Sequence, residues 1–226
     1  TFTITVNPAA QVNQPAFFTV CNNTAAAATN FSTVNTGGTT TYAWTNDNTT
    51  IGLAANGTGN IASFTAVNTG TSPVTATIVV TPTFTNAGVS CSGPAKTFTI
   101  IVNPTGQVND PADQVICNSA LTSAVNFTTV NSGGTTTYAW TNDNTSIGLA
   151  ASGTGNIASF TATNSGNSPV TATITVTPTF SNAAPGVQEG AEPGIPPSGA
   201  NCTGPSQTFT ITVNPTAQVN PITNKV

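Results

Sequence analysis

The chain has 226 residues and almost no charge: two Lys, no Arg, no His and six acidic residues, or 4% charged, against roughly a quarter in an ordinary soluble domain. No basic patch can form, so the phosphate neutralisation that nucleic-acid binding requires is excluded. Without His, a Ser or Cys nucleophile lacks its usual base. The six acids do not make up for this. Asp47 and Asp143 occupy the same place in two copies of one unit, Asp110 and Asp113 stand together, and Glu189 and Glu192 fall in an insertion. None forms an acid/base pair within one cleft, so the chain reads as a non-enzyme with no cofactor. No apolar run approaches the roughly 20 residues of a membrane span. There is no Met and no signal peptide, which reads as a fragment or a processed product.

What the chain has instead is repetition. "TFTITVNP" at Thr1–Pro8 returns as "TFTIIVNP" at Thr97–Pro104 and as "TFTITVNP" at Thr208–Pro215. Residues 1–84 lie on residues 97–180 without a gap, identical at 62 of 84 positions. Cys91 then aligns with Cys202, an offset of 111 rather than 96, so copy two carries a 15-residue insertion. A period near one hundred residues is too long for a solenoid turn and suits an array of whole domains. The boundaries drawn from it are a closing strand of a preceding repeat at 1–7, repeat one at 8–103, repeat two at 104–215 with an inserted loop at 183–200, and a linker into a following repeat at 216–226. The Pro-containing connection "NPTGQVNDPA" at 103–112 leads to the expectation that the domains stack end to end.

Alternation identifies the fold. In "VTATIVVTPTF" the residues Val74, Ala76, Ile78, Val80, Pro82 and Phe84 are apolar, while Thr75, Thr77, Thr81 and Thr83 take the other face. Period two over eleven residues means strand, and Thr keeps strand propensity while staying wettable. Further strands are expected at Phe17–Val20, Asn30–Val34, Thr40–Asn46, Ile61–Ala66 and in each "TFTITV", separated by turn sequences such as "NTGG" and "ANGTGN". Six or seven short strands per hundred residues is the pattern of an all-β, immunoglobulin-like antiparallel β-sandwich, here in tandem. Tyr42 and Trp44 share one strand face, as do Tyr138 and Trp140, and core packing is the expected role of all four. A sugar-stacking platform would need them exposed.

Four Cys occur as one pair per repeat and allow three connectivities. With no CxxC cluster and no His, they read as disulfides rather than a metal site, which places the chain in an oxidising, extracellular setting. Pairing within repeats, Cys21 with Cys91 and Cys117 with Cys202, is favoured because each copy then closes the same loop. Loops of 70 and 85 residues would restrict the unfolded chain by roughly 4 kcal/mol each.

The "TYAWTN" strand, the segment "GTGNIASF" at Gly57–Phe64, the long Thr-alternating strand and the closing "FTITVNP" resemble the PKD-like repeats of giant bacterial surface proteins, most of all those of SprB-type gliding-motility adhesins. Nearly all of both copies takes part, apart from the insertion. "TNDNTT" follows Trp44 where PKD proper has a D-F-G-D-G turn, so the PKD-like subgroup is the better match. The resemblance implies a bacterial cell-surface localisation, export by type IX secretion and service as a stalk or filament. Its partners would be neighbouring repeats, other copies in a filament, and a surface or polysaccharide ligand held by parts not present. The alternative is a carbohydrate-binding module of a secreted polysaccharide-active protein.

Three features remain. Asp110 and Asp113, and more weakly Asp47 and Asp143, are calcium candidates. Calcium takes six to eight oxygens, and Asx turns account for the same residues. Phe17 and Phe18 are replaced in copy two by Asp113 and Gln114, so at least one is expected to be partly exposed, or buried only against a neighbouring domain or chain, as a contact patch. The ranks of outward Thr resemble an ice-binding surface, but a twisted sheet does not offer a flat lattice.

Overall fold

A computed structural model describes residues 1–182 and 199–219. The sequence-predicted loop 183–200 and linker 216–226 therefore lie largely outside the described residues. By contacts the chain divides into two units, Thr1–Thr105 with Asn131–Thr135 and Phe180–Cys202, and Gly106–Val130 with Thr136–Thr179 and Thr203–Val226.

In copy one the strands are β1 (Phe18–Cys21), β2 (Ala25–Ala26), β3 (Thr39–Asn46), β4 (Asn56–Thr58), β5 (Phe64–Thr65), β6 (Val74–Asn86), β7 (Val89–Ser92) and β8 (Lys96–Asn103). They form a main sheet in the order β1-β8-β6-β3-β4, with β7 also on β6, faced by the short β2-β5 pair and an isolated Thr29–Ile61 bridge. Copy two repeats this with β9 (Gln114–Cys117), β10 (Thr135–Asn142), β11 (Ser152–Thr154), β12 (Val170–Ser181), β13 (Cys202–Thr203) and β14 (Gln207–Asn214). Its sheet runs β11-β10-β12-β14-β9, with β13 on β12. The only helical segments among the described residues are two single 3-10 turns, Thr49–Ile51 and Thr145–Ile147. The fold is all-β, a tandem of immunoglobulin-like sandwiches.

Alternation becomes burial as expected. Along β6, Ala76, Ile78, Val80, Pro82 and Phe84 are buried while the residues between them are half-exposed. Phe98, Ile100 and Val102 of β8 meet Ala76, Ile78 and Val80 in one core with Phe31, Trp44, Ile51 and Ile61. Each such side chain contributes about 1.5–3 kcal/mol by leaving water. Pro82 interrupts no ladder. The β8 pairing ends at Val80 and the β7 pairing begins at Thr83, so the missing N–H falls at a changeover.

Each main sheet is antiparallel except at one edge. There β1 runs parallel to β8 and β9 runs parallel to β14. The paired strands are nearly a domain apart in sequence, so no hairpin dictates their direction. Asn30–Val34 forms no strand. Phe31 donates its N–H to the Asn60 side chain instead, and Val34 is exposed. Thr1–Val6 also lies in no strand, with Phe2, Ile4 and Val6 exposed by 87, 75 and 86%, whereas the equivalent Phe98, Ile100 and Val102 are fully buried.

Trp44 faces Gly57 across β3-β4, and Trp140 faces Gly153 across β10-β11. A Cβ at either glycine would fall into the indole ring. Gly57→Ala is therefore expected to cost about 1–3 kcal/mol through overpacking, read as a lower urea midpoint with the slope preserved. An unchanged midpoint would show that the indole has room to move.

Candidate functional site

The cysteines do not pair within repeats. Cys21 is bonded to Cys202, with Cα atoms 5.4 Å apart and a sequence separation of 181, while Cys91 and Cys117 are free. The reason lies in the sheet. Cys21 ends β1 opposite Asn103, beside the Val74 end of β6, where Val74 faces Val102. Cys91 on β7 faces Phe84, near the other end of β6. Ten residues of strand at about 3.3 Å each separate the two positions by ~33 Å, and a disulfide needs Cα atoms closer than about 7 Å. The same holds in copy two. Cys117 faces Asn214, beside the Val170 end of β12, where Val170 pairs with Val213. Cys202 stands two residues before Gly204, whose N–H goes to Pro178 O at 3.0 Å. The expected Cys21–Cys91 and Cys117–Cys202 bonds would each have to cross a whole sheet.

Around Cys21 a set of amides fixes the strand ends. Asn22 N–H donates to Asn103 O at 2.9 Å and Asn22 Nδ2 to Thr105 Oγ1 at 3.1 Å, while Asn22 Oδ1 accepts from Asn68 N–H at 2.8 Å. Asn68 Nδ2 donates to Val102 O at 2.7 Å and Ser72 O at 2.8 Å. The buried Asn103 side chain donates from Nδ2 to Asn182 Oδ1 at 2.9 Å and to Ala200 O at 3.0 Å, two residues before Cys202. The bond and the amide contacts thus hold one place together. These asparagines were not singled out from the sequence. The readable signal was their recurrence, in "VNP" at Asn7, Asn103 and Asn214 and after the long strand at Asn86 and Asn182.

The other candidates resolve into local roles. Trp44 and Trp140 are each only 7% exposed, so neither offers a face for a sugar ring. Tyr42 and Tyr138 are half-buried against Phe31 and Phe127, and burial raises the pKa of both phenols. Phe17 is buried and Phe18 is partly exposed while packing against the core, so one of the two is partly exposed, as expected. Asp47 and Asp143 accept the N–H of Thr77 and Thr173 at 2.7 Å, and their neighbours Asn48 and Asn144 cap the 3-10 turns. The "TNDNT" motif is thus a built turn. Asp110 and Asp113 line one surface pocket with Gln114, but Asp113 Oδ1 is engaged by Thr210 N–H at 2.6 Å. Among the described residues no three His, Cys, Asp or Glu side chains gather as a metal site. No helix among them is long and apolar enough to cross a membrane.

No protein-family model matches the chain, and no curated protein does. Among solved structures, a crystal structure of the I9-I11 tandem from titin aligns over 91% of this chain and 99% of that one, at 10% identity and a TM-score of 0.25. So slight a likeness says nothing about what this chain does.

The Thr210 N–H bond draws the Asp113 pKa below its ordinary value. A depressed folded-state pKa favours folding above the unfolded value, and that preference is lost as pH falls through the folded value. Asp113 is therefore expected to titrate below an ordinary aspartate in a carboxyl-detected NMR series, and Asp113→Asn to remove that titration without unfolding the chain. An ordinary titration would mean the bond to Thr210 is not held in solution.

Proposed function

We propose that the chain is a stretch of mechanical stalk from a large extracellular bacterial surface protein of the PKD-like adhesin kind, exported by type IX secretion and serving surface attachment or gliding. The observation that carries this reading is the Cys21–Cys202 bond, which closes a loop over 181 residues and so encloses most of both copies. A disulfide of that span does nothing for a local site. It keeps a pulled chain short, since everything between the two cysteines is withdrawn from the extensible length. The tandem fold, the near absence of charge and the disulfide all suit a passive spacer in an oxidising setting. Adhesion itself is assigned to parts of the protein outside this chain. The carbohydrate-binding alternative has no support from the aromatics, because Trp44 and Trp140 are buried.

Pulling single molecules by their ends tests the stalk role. With the bond intact, only the residues outside Cys21–Cys202 can extend. Reduction should then release about 600–650 Å more contour at 3.3–3.6 Å per residue, and Cys21→Ser should reproduce the reduced trace without reductant. Identical lengths before and after reduction would refute the role assigned to the bond.

A further inference from the structure

Cys91 and Cys117 are the repeat equivalents of Cys202 and Cys21, and the surroundings of each reproduce half of the formed linkage. Near Cys91, Asn86 Nδ2 donates to Asn7 Oδ1 at 3.0 Å, and Asn7 Nδ2 donates to Val89 O at 3.3 Å. Shifted by one repeat, the equivalent positions meet as Asn103 with Asn182 and Ala200, with donor and acceptor exchanged in the amide pair. Gly93 presses against the carbonyl of Ala10 as Gly204 does against that of Gly106. Asn7 therefore stands at Cys91 where Asn103 stands at Cys202. In the formed linkage a parallel strand beside Asn103 delivers Cys21, which is in register with it. Thr1–Val6 has no such strand beside it. At the other end, Cys117 is in register with Asn214. Asn118 donates from N–H to Asn214 O at 2.9 Å and from Nδ2 to Thr216 Oγ1 at 3.0 Å, matching Asn22. There the delivering half is complete.

We propose that Cys117 and Cys91 are the two halves of a second linkage of the Cys21–Cys202 kind, closed between this chain and a second copy of it, Cys117 of one to Cys91 of the next. The two halves stand at different places in one chain and so meet only between units, and for this 226-residue chain in solution a second copy supplies each complement, head to tail. Asn214 of the first copy takes the seat held by Asn7 in the second. Thr1–Val6 is in no strand and exposes its apolar residues, and the hydrogen bonds that hold Asn7 in the seat, to Asn86 and Val89, are of a kind that Asn214 can replace. The chemistry is thiol–disulfide exchange with a small-molecule disulfide. The Cys117 thiolate attacks one sulfur of the small disulfide and expels one thiolate. The Cys91 thiolate of the second copy then attacks the Cys117 sulfur and expels the other. Two protein thiols are oxidised, one small disulfide becomes two thiols, and the two cysteine protons end on them. This deepens the stalk reading and rests on it, but single-chain pulling tests that reading without this linkage, so the two can fail separately.

The test is to incubate the full chain in oxidised and reduced glutathione and run non-reducing gels. The expected result is a ladder of multiples of 22.5 kDa that reductant collapses, with a Cys91–Cys117 cross-linked peptide in its bands. Cys91→Ser and Cys117→Ser should each stay monomeric alone. Mixed together they should give one dimer band, roughly tenfold above either alone because the seat raises the effective concentration of the correct pair. Deleting residues 1–7 should increase that dimer, since it vacates the seat. Glutathione-capped monomer would overturn the proposal. So would single variants that dimerise as well as the mixture, or a deletion that lowers the yield.

Discussion

Strand β6 runs through thirteen residues, Val74–Asn86, and its length governs both what the sheet can bury and what the cysteines can reach. One face lines the core with Ala76, Ile78, Val80, Pro82 and Phe84. One edge takes β8 up to Val80, and β7 follows from Thr83. Because β8 ends in register with Cys21 while β7 carries Cys91, the two cysteines of a repeat are held at opposite ends of one rigid sheet. A self-contained disulfide is thereby ruled out, and a bond from copy one to copy two becomes the available alternative.

The lack of charge fits the same design. Work often done by ion pairs is done here by amides and backbone. Asn46 Nδ2 donates to Leu53 O at 3.0 Å inside the core, Asn68 ties a loop to Val102, and Asp47 caps the backbone of Thr77. Hydrogen bonds of this kind contribute about 0.5–1.5 kcal/mol each and, unlike exposed ion pairs, are little affected by salt. Such a sandwich keeps its stability across ionic conditions, which the proposed stalk role would call for.

Much of this was legible in the sequence. Period-two runs gave β3, β6 and β8 to within a residue or two, because Thr outside and Ile, Val or Phe inside leave no competing reading. Asn30–Val34 misled because its alternation is weak and the Asn60 side chain offers its backbone another partner. The disulfides were misread for a physical reason. Repetition suggested that each copy closes on itself, while the length of the Thr-alternating strand already placed Cys21 and Cys91 about ten residues of strand apart. Asn7, Asn86, Asn103 and Asn182 were hidden by abundance, since in a chain this rich in Asn their recurrence at fixed offsets is the only mark they carry. The exposure of Phe2, Ile4 and Val6 follows from the same repetition, because Phe98, Ile100 and Val102 fill the equivalent places in the copy-one core.

The bond from copy one to copy two is the central claim, and a single proteolytic cut tests it. Lys96 and Lys225 are the only basic residues, so trypsin can divide the body of the chain at one place, after Lys96, between the two halves of the cysteine set. The protein is unfolded with its free thiols alkylated, digested and run without reductant. The account predicts that the halves travel together near 22.5 kDa, part only on reduction, and carry the first alkyl label on Cys91 and Cys117. Halves that separate before reduction would contradict the account at its base, with no alkyl label meaning Cys21–Cys91 and Cys117–Cys202 pairs and four labels meaning no disulfide at all.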